Sequence, residues 1–171
     1  MKSSFRSVFC RFALIECLAV AAASAQVLGV RVDVSRVIDK AAAESALGEP
    51  VKVPAPRNLE GGDGYYSKCN YYSATSNKTL ILRLYQASAA VDVKQQIDSV
   101  RSSSGIAKSV SGLGDKAQIY SGSLSGLPAN VVMLYVIKGN SLVTVGLSGL
   151  EEEIALEKVK RIAQKIVTQI R

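Results

Sequence analysis

Any chemistry in this chain has to be done without histidine, because the sequence contains none. That removes Ser-His-Asp and Cys-His nucleophilic mechanisms, and it removes the commonest ligand of catalytic zinc. Tyrosines, basic side chains, carboxylates and Cys69 remain. Tyr66, Lys68, Tyr72, Arg83 and Tyr85 fall on alternating positions of two extended runs, so they share one face of a predicted hairpin. An aromatic and basic face of this kind suits stacking on sugar rings or docking a partner, since Tyr and Arg are enriched at contact hot spots. The same residues also fit cross-strand pairing on a half-exposed sheet, or a face covered by a helix over 88–102.

The other reactive groups carry weaker signals. Cys69 as a nucleophile would need a base or a cation beside it, and its neighbour Lys68 points to the opposite face. Cys69 therefore reads as a buried small hydrophobe or as the site of an intermolecular disulfide. Gly112-Leu113-Gly114-Asp115 lacks the Gly-Lys-Ser/Thr ending of a phosphate loop, and it reads as a tight turn with Asp115 bonding local backbone amides. Glu151-Glu152-Glu153 lacks the alternating spacing of a calcium loop and reads as charge at the positive end of a helix. Asn77-Lys78-Thr79 matches a glycosylation sequon on a predicted turn, without other signs of a eukaryotic secretory context. No catalytic, cofactor-binding or metal-binding residue is assigned, no cofactor is expected, and the chain is not expected to be an enzyme.

The elements that position these residues follow from periodicity. Pro128 to Gly149 reads as a β-hairpin turning at Gly139-Asn140, both tolerant of positive φ. Counting outward pairs Ile137 with Leu142, Val136 with Val143, Leu134 with Val145 and Val132 with Leu147. Val132, Leu134, Val136, Val143, Val145 and Leu147 then form one apolar face. Leu150 to Ile170 carries an apolar stripe at helical spacing, which makes it the candidate cover. Tyr65–Ser73 and Lys78–Gln86 form a second hairpin, with Tyr65, Cys69, Tyr71, Leu80, Leu82 and Leu84 facing inward. A first helix runs from Ser35 to Gly48, capped by Ser35 or Asp39, and a second from Ser88 to about Ser102. Val51–Pro56 is a possible edge strand, Arg57–Gly64 a loop, 102–117 a connector, Ala117–Tyr120 a strand and Gly122–Gly126 a turn. The fold class is α+β: a two-layer sandwich with an antiparallel sheet of about five to six strands, in the order α-β-β-β-α-β-β-β-α.

The N-terminus has the form of an export signal. Lys2, Arg6 and Arg11 precede a mostly apolar run, Phe12 to Ala23, which Glu16 interrupts. Ala23-Ser24-Ala25 supplies small residues for cleavage before Gln26. Residues 1–25 are read as a signal peptide and 26–171 as a single domain, exported to a periplasmic or extracellular space, with no membrane span after cleavage. Glu16 before Cys17 does not fit a lipobox. Cleavage takes three of 21 basic and one of 14 acidic residues, leaving about +5 spread along the chain, so a nucleic-acid partner is not indicated. Cleavage also leaves Cys69 without an intramolecular partner.

Five features together resemble a family of small exported bacterial domains of unknown function, many of them lipoproteins or envelope proteins. They are Ala46-Leu47-Gly48-Glu49-Pro50-Val51, Cys69-Asn70-Tyr71, Gly112-Leu113-Gly114-Asp115-Lys116-Ala117, Leu134 to Val145 around a Lys-Gly turn, and the closing helix. The resemblance spans most of residues 35–170. It implies the fold and the compartment, and it transfers no catalytic residue. The family pattern has an early cysteine able to pair with the hairpin cysteine, whereas Val32 to Ile38 contains none here. The leading expectation is an exported, non-enzymatic domain binding an envelope protein, an envelope polymer or a small ligand through its sheet face. The alternatives are a hydrolase of the envelope working with carboxylates or tyrosine, and an assembly protein that dimerises through Cys69.

Overall fold

The computed structural model describes residues 30–88, 91–93, 107–122 and 131–171. The predicted signal peptide, most of the predicted 88–102 helix and most of the turn predicted at Gly122–Gly126 lie outside the described residues. The described elements are α1 (Val34–Val37), α2 (Lys40–Leu47), β1 (Arg57–Gly61), β2 (Gly64–Tyr72), β3 (Thr79–Ala87), β4 (Lys108–Val110), β5 (Lys116–Gly122), β6 (Val131–Lys138), β7 (Ser141–Ser148) and α3 (Glu152–Val167). The seven strands form one sheet in the order β1-β2-β3-β7-β6-β5-β4, with every pair antiparallel. Two meanders therefore meet along β3 and β7.

The β6–β7 hairpin has the expected register, with Ile137 opposite Leu142, Val136 opposite Val143, Leu134 opposite Val145 and Val132 opposite Leu147. Gly139 takes φ +54° in the two-residue turn, the left-handed region that glycine enters without a Cβ penalty. All six apolar residues of the inner face are buried. Each contributes roughly 1.5–3 kcal/mol before conformational entropy is charged. They pack in one core with Leu80, Leu82 and Leu84 of β3 and with Val34, Ile38 and Leu47 from the N-terminal helices. Ala155, Val159, Ala163 and Ile166 of α3 complete that core. The described helices thus lie on one face of the sheet.

Several expectations are corrected. The sheet has seven strands because two short ones sit in stretches that glycine and serine made look like loops. Arg57–Gly61 is a strand that turns through Gly62 and Asp63 into β2. Lys108–Val110 pairs with Ala117–Ile119 inside the expected connector. Val51 makes only an isolated bridge to Ser73, so the expected 51–56 strand does not extend. The helix order also differs, because the first helix is two. Asp33 rather than Ser35 caps α1, accepting from the Ser35 amide at 2.9 Å, and Asp39 caps α2 from the Ala42 amide at 2.8 Å. Between them Ile38 is extended (φ −121°, ψ 91°), and its carbonyl accepts the buried Tyr71 hydroxyl. The two helices and the link between them bury Val34, Ile38, Ala43 and Leu47. Gly48 ends α2 at φ +74°, as its position predicts. Helix α3 is shorter than the predicted Leu150–Ile170, and Ile154 of the predicted stripe is 48% exposed while Val167 is buried.

Candidate functional site: the outer face of the first three strands

The sheet's outer face divides into two halves. Over β5–β7 it is buried: Tyr120, Val131 and Met133 cluster together, and Tyr85, Ile137 and Leu142 cluster with Val93. Over β1 and β2 it is open, with Leu59, Tyr66 and Tyr72 exposed. Alternation places the expected residues on that outer side, since β2 turns Ser67, Cys69 and Tyr71 inward and leaves Tyr66, Lys68 and Tyr72 outward.

Register brings the cations together. Arg57 lies opposite Lys68, and Lys68 lies opposite Arg83. Three positive side chains thus cross three adjacent strands, each step being about 4.8 Å. Among the described residues none of the three pairs with a carboxylate. On one side of this row sit Tyr66 and Tyr85, stacked with ring centroids 4.4 Å apart and planes 15° from parallel. Tyr85 is only 6% exposed, so it is the buried support and Tyr66, 37% exposed, is the outer ring. Asp63 in the β1–β2 turn fixes both. It accepts the Tyr66 hydroxyl on its carboxylate and the Tyr85 hydroxyl on its carbonyl at 2.9 Å.

Those hydrogen bonds set the proton positions. The Tyr66 hydroxyl, opposed by desolvation and helped by Tyr85, holds the Asp63 carboxyl below the usual carboxylate range. Reciprocally, the bond to Asp63 pushes Tyr66 up, and burial pushes Tyr85 up. At neutral pH both tyrosines keep their protons and Asp63 is ionised, so the cluster holds a fixed shape.

On the other side of the row is a shallow groove of about 320 Å³, lined by Val53, Ala55, Arg57, Lys68, Asn70 and Tyr72. Tyr72 is 50% exposed, and its hydroxyl accepts from the Asn70 side-chain amide at 3.0 Å. The Asn70 Oδ1 atom is buried and has no hydrogen-bond partner. A buried polar atom in this condition lacks the compensation that nearly all others have.

Comparison with family models, with curated proteins and with solved structures finds no match to this chain.

The remaining predicted residues fall elsewhere. Cys69 is 1% exposed on the inner face, and burial pushes its thiol up, so a bond to a second copy would require the core to open. Gly112-Leu113-Gly114-Asp115 is a turn, but its aspartate does more than expected. Asp115 reaches the β6–β7 turn, accepting from the Gly139 amide at 2.7 Å and approaching Lys138 Nζ at 3.4 Å. A carboxylate in that loop repels phosphate. Glu152 and Glu153 occupy the first turn of α3.

Arg57, Asn70 and Asp63 were not singled out from the sequence. Arg57 was hidden by the loop reading of 57–64. The signal for it was the Gly61-Gly62-Asp63-Gly64 turn, which joins two runs of equal phase.

Proposed function

We propose that this chain is an exported, non-enzymatic domain that holds a ligand or partner on the outer face of β1–β3. The observation that carries the reading is the row Arg57, Lys68, Arg83, without carboxylate partners among the described residues, set between two exposed tyrosines. A solvated structural face at net positive charge has no need to gather its cations on neighbouring strands, where they repel one another. A ligand of opposite charge reverses that repulsion. The basic N-terminus, apolar run and Ala23-Ser24-Ala25 support export to a periplasmic or extracellular space, as does the resemblance to small exported bacterial domains. The absence of histidine supports a binding role over a hydrolytic one.

Chemical footprinting in an envelope extract of the native host tests this. Lys68 should lose acylation and Tyr72 should lose iodination relative to the purified chain, while Lys160 on α3 labels equally in both. Equal labelling of Lys68 and Tyr72 with and without extract refutes a binding role for this face.

A further inference from the structure

We propose that this face binds an acidic polysaccharide, laid along β2 with its negative groups on Arg57, Lys68 and Arg83 and a sugar ring on Tyr72. The proposal rests on reading this face as the binding surface and names the class of ligand.

Three observations choose that class. The first is shape. Outward residues of a strand recur about every 6.8 Å, so Tyr66 and Tyr72 stand roughly 20 Å apart with the cations and Asn70 between them. A strip of that length fits an elongated chain better than a compact metabolite. The second is the paired demand of the groove. Arg57 and Lys68 require anionic oxygens, and the Asn70 amide and the Tyr72 hydroxyl line the groove beside them as neutral polar groups. A simple carboxylate or a fully ionised phosphate satisfies the cations and makes no use of these neutral groups. An acidic sugar carries both kinds of group on one ring, its anion for the arginine and lysine and its hydroxyls for the amide and the phenol.

The third is preorganisation. Tyr66 is held from below by Tyr85 and at its tip by Asp63, so its ring is fixed before any ligand arrives. Tyr72 is tethered through its hydroxyl to Asn70. Fixed rings offer the flat apolar faces on which sugar rings stack, at little further cost in side-chain entropy. A peptide or membrane surface would use the charge, but neither needs a rigid ring at each end of a polar strip.

The test is affinity electrophoresis of the full chain in gels cast with polygalacturonate, with a phosphomannan, or with methyl-esterified polygalacturonate. The free acid or the phosphomannan should retard the chain, and the ester should not. Arg57→Gln, Lys68→Gln and Tyr72→Ala should each weaken retardation about tenfold, the loss expected for one charge-assisted contact. Lys160→Gln, an equal charge change on α3, should leave it unchanged. Asn70→Asp should weaken binding as strongly as the lysine change. Retardation by the ester, or an equal loss in Lys160→Gln, overturns the proposal by showing that the built site is not used. So does binding to phosphatidylglycerol-rich vesicles with no retardation by either acid polymer. If neither polymer retards the chain while extract still protects Lys68 and Tyr72, the face binds and the ligand class is wrong. If protection is absent too, both readings fall.

Discussion

Replacing either glycine of Gly112-Leu113-Gly114-Asp115 with alanine separates a conformational cost from a contact cost. Both glycines adopt positive φ, +75° at Gly112 and +62° at Gly114. Alanine in that region loses roughly 1–2 kcal/mol, and the stiffer unfolded chain returns about 0.4–1 kcal/mol of it. At Gly112 a Cβ would meet nothing within 4 Å, so Gly112→Ala should cost about 1 kcal/mol in all. At Gly114 a Cβ would lie 2.4 Å from the Ile137 carbonyl oxygen and 2.5 Å from Val136 Cγ1. The oxygen is backbone in the middle of the sheet, and it also accepts the Asp115 amide at 2.7 Å. It cannot move without disturbing that bond and the Asp115 contact with the Gly139 amide. Overpacking of this kind adds about 1–3 kcal/mol, which brings Gly114→Ala to roughly 2–4 kcal/mol. Urea denaturation reads the difference directly. With a slope near 2 kcal/mol per molar, the Gly114→Ala midpoint should fall roughly 0.5–1.5 M below that of Gly112→Ala. Coincident midpoints would show that the loop does not clamp the β6–β7 turn.

Cys69 should resist thiol reagents in the native chain and react fully in denaturant, because its sulfur is buried and its thiol held up by desolvation. Rapid native labelling, counted by mass spectrometry, would contradict that placement. Tyr71→Phe should cost about 1–3 kcal/mol by leaving the Ile38 carbonyl without its buried donor, and a midpoint unchanged in urea would remove this bond from the fold's support. Hydrogen bonds from Ser73 and Ser76, with Lys78 at 3.1 Å, depress the Glu49 carboxyl to about 2 from an ordinary 4.5. Its folded value is the lower one, so its stabilisation is complete above about pH 4.5 and is lost as pH falls through about 2. Glu49→Gln should flatten that part of the stability–pH curve, and parallel curves for the two proteins would show that Glu49 does not contribute it.

Much of the sheet was legible because strand period and turn chemistry point the same way. Gly139-Asn140 sets the register of eight residues on each side, and the inward leucines of β3 follow from simple alternation. The inner and outer sides of β2 were legible for the same reason. What escaped was pairing without a local signature. Arg57–Gly61 has no apolar alternation, because its outer side faces solvent and its inner side faces Asp33 and Arg31 through Asn58 and Glu60. Lys108–Val110 is held by β5 and not by its own composition. The helix break at Ile38 had one local sign, the second cap candidate Asp39, but the hydrogen bond its carbonyl accepts comes from Tyr71, 33 residues away. Within the site, alternation predicted that Tyr66 and Tyr85 share a face. Only the fold makes one of them the other's support.

The meeting of β3 with β7 also bears on how the chain finds its fold. Every other strand pair joins consecutive strands, whereas Gln86 pairs with Ser141 and Thr79 with Ser148, 55 and 69 residues apart. Each meander can zip from its own turns, but the seam between them requires a long loop to close before any of its contacts compensate. Helix α3 follows β7 directly and packs on β6 and β7, so it too waits on that half of the sheet. The two halves meeting is therefore the expected slow step. A seam variant such as Leu82→Ala should slow refolding, and a periphery variant such as Val110→Ala should mainly hasten unfolding. On this view the order of strands in the sheet sets an order in time.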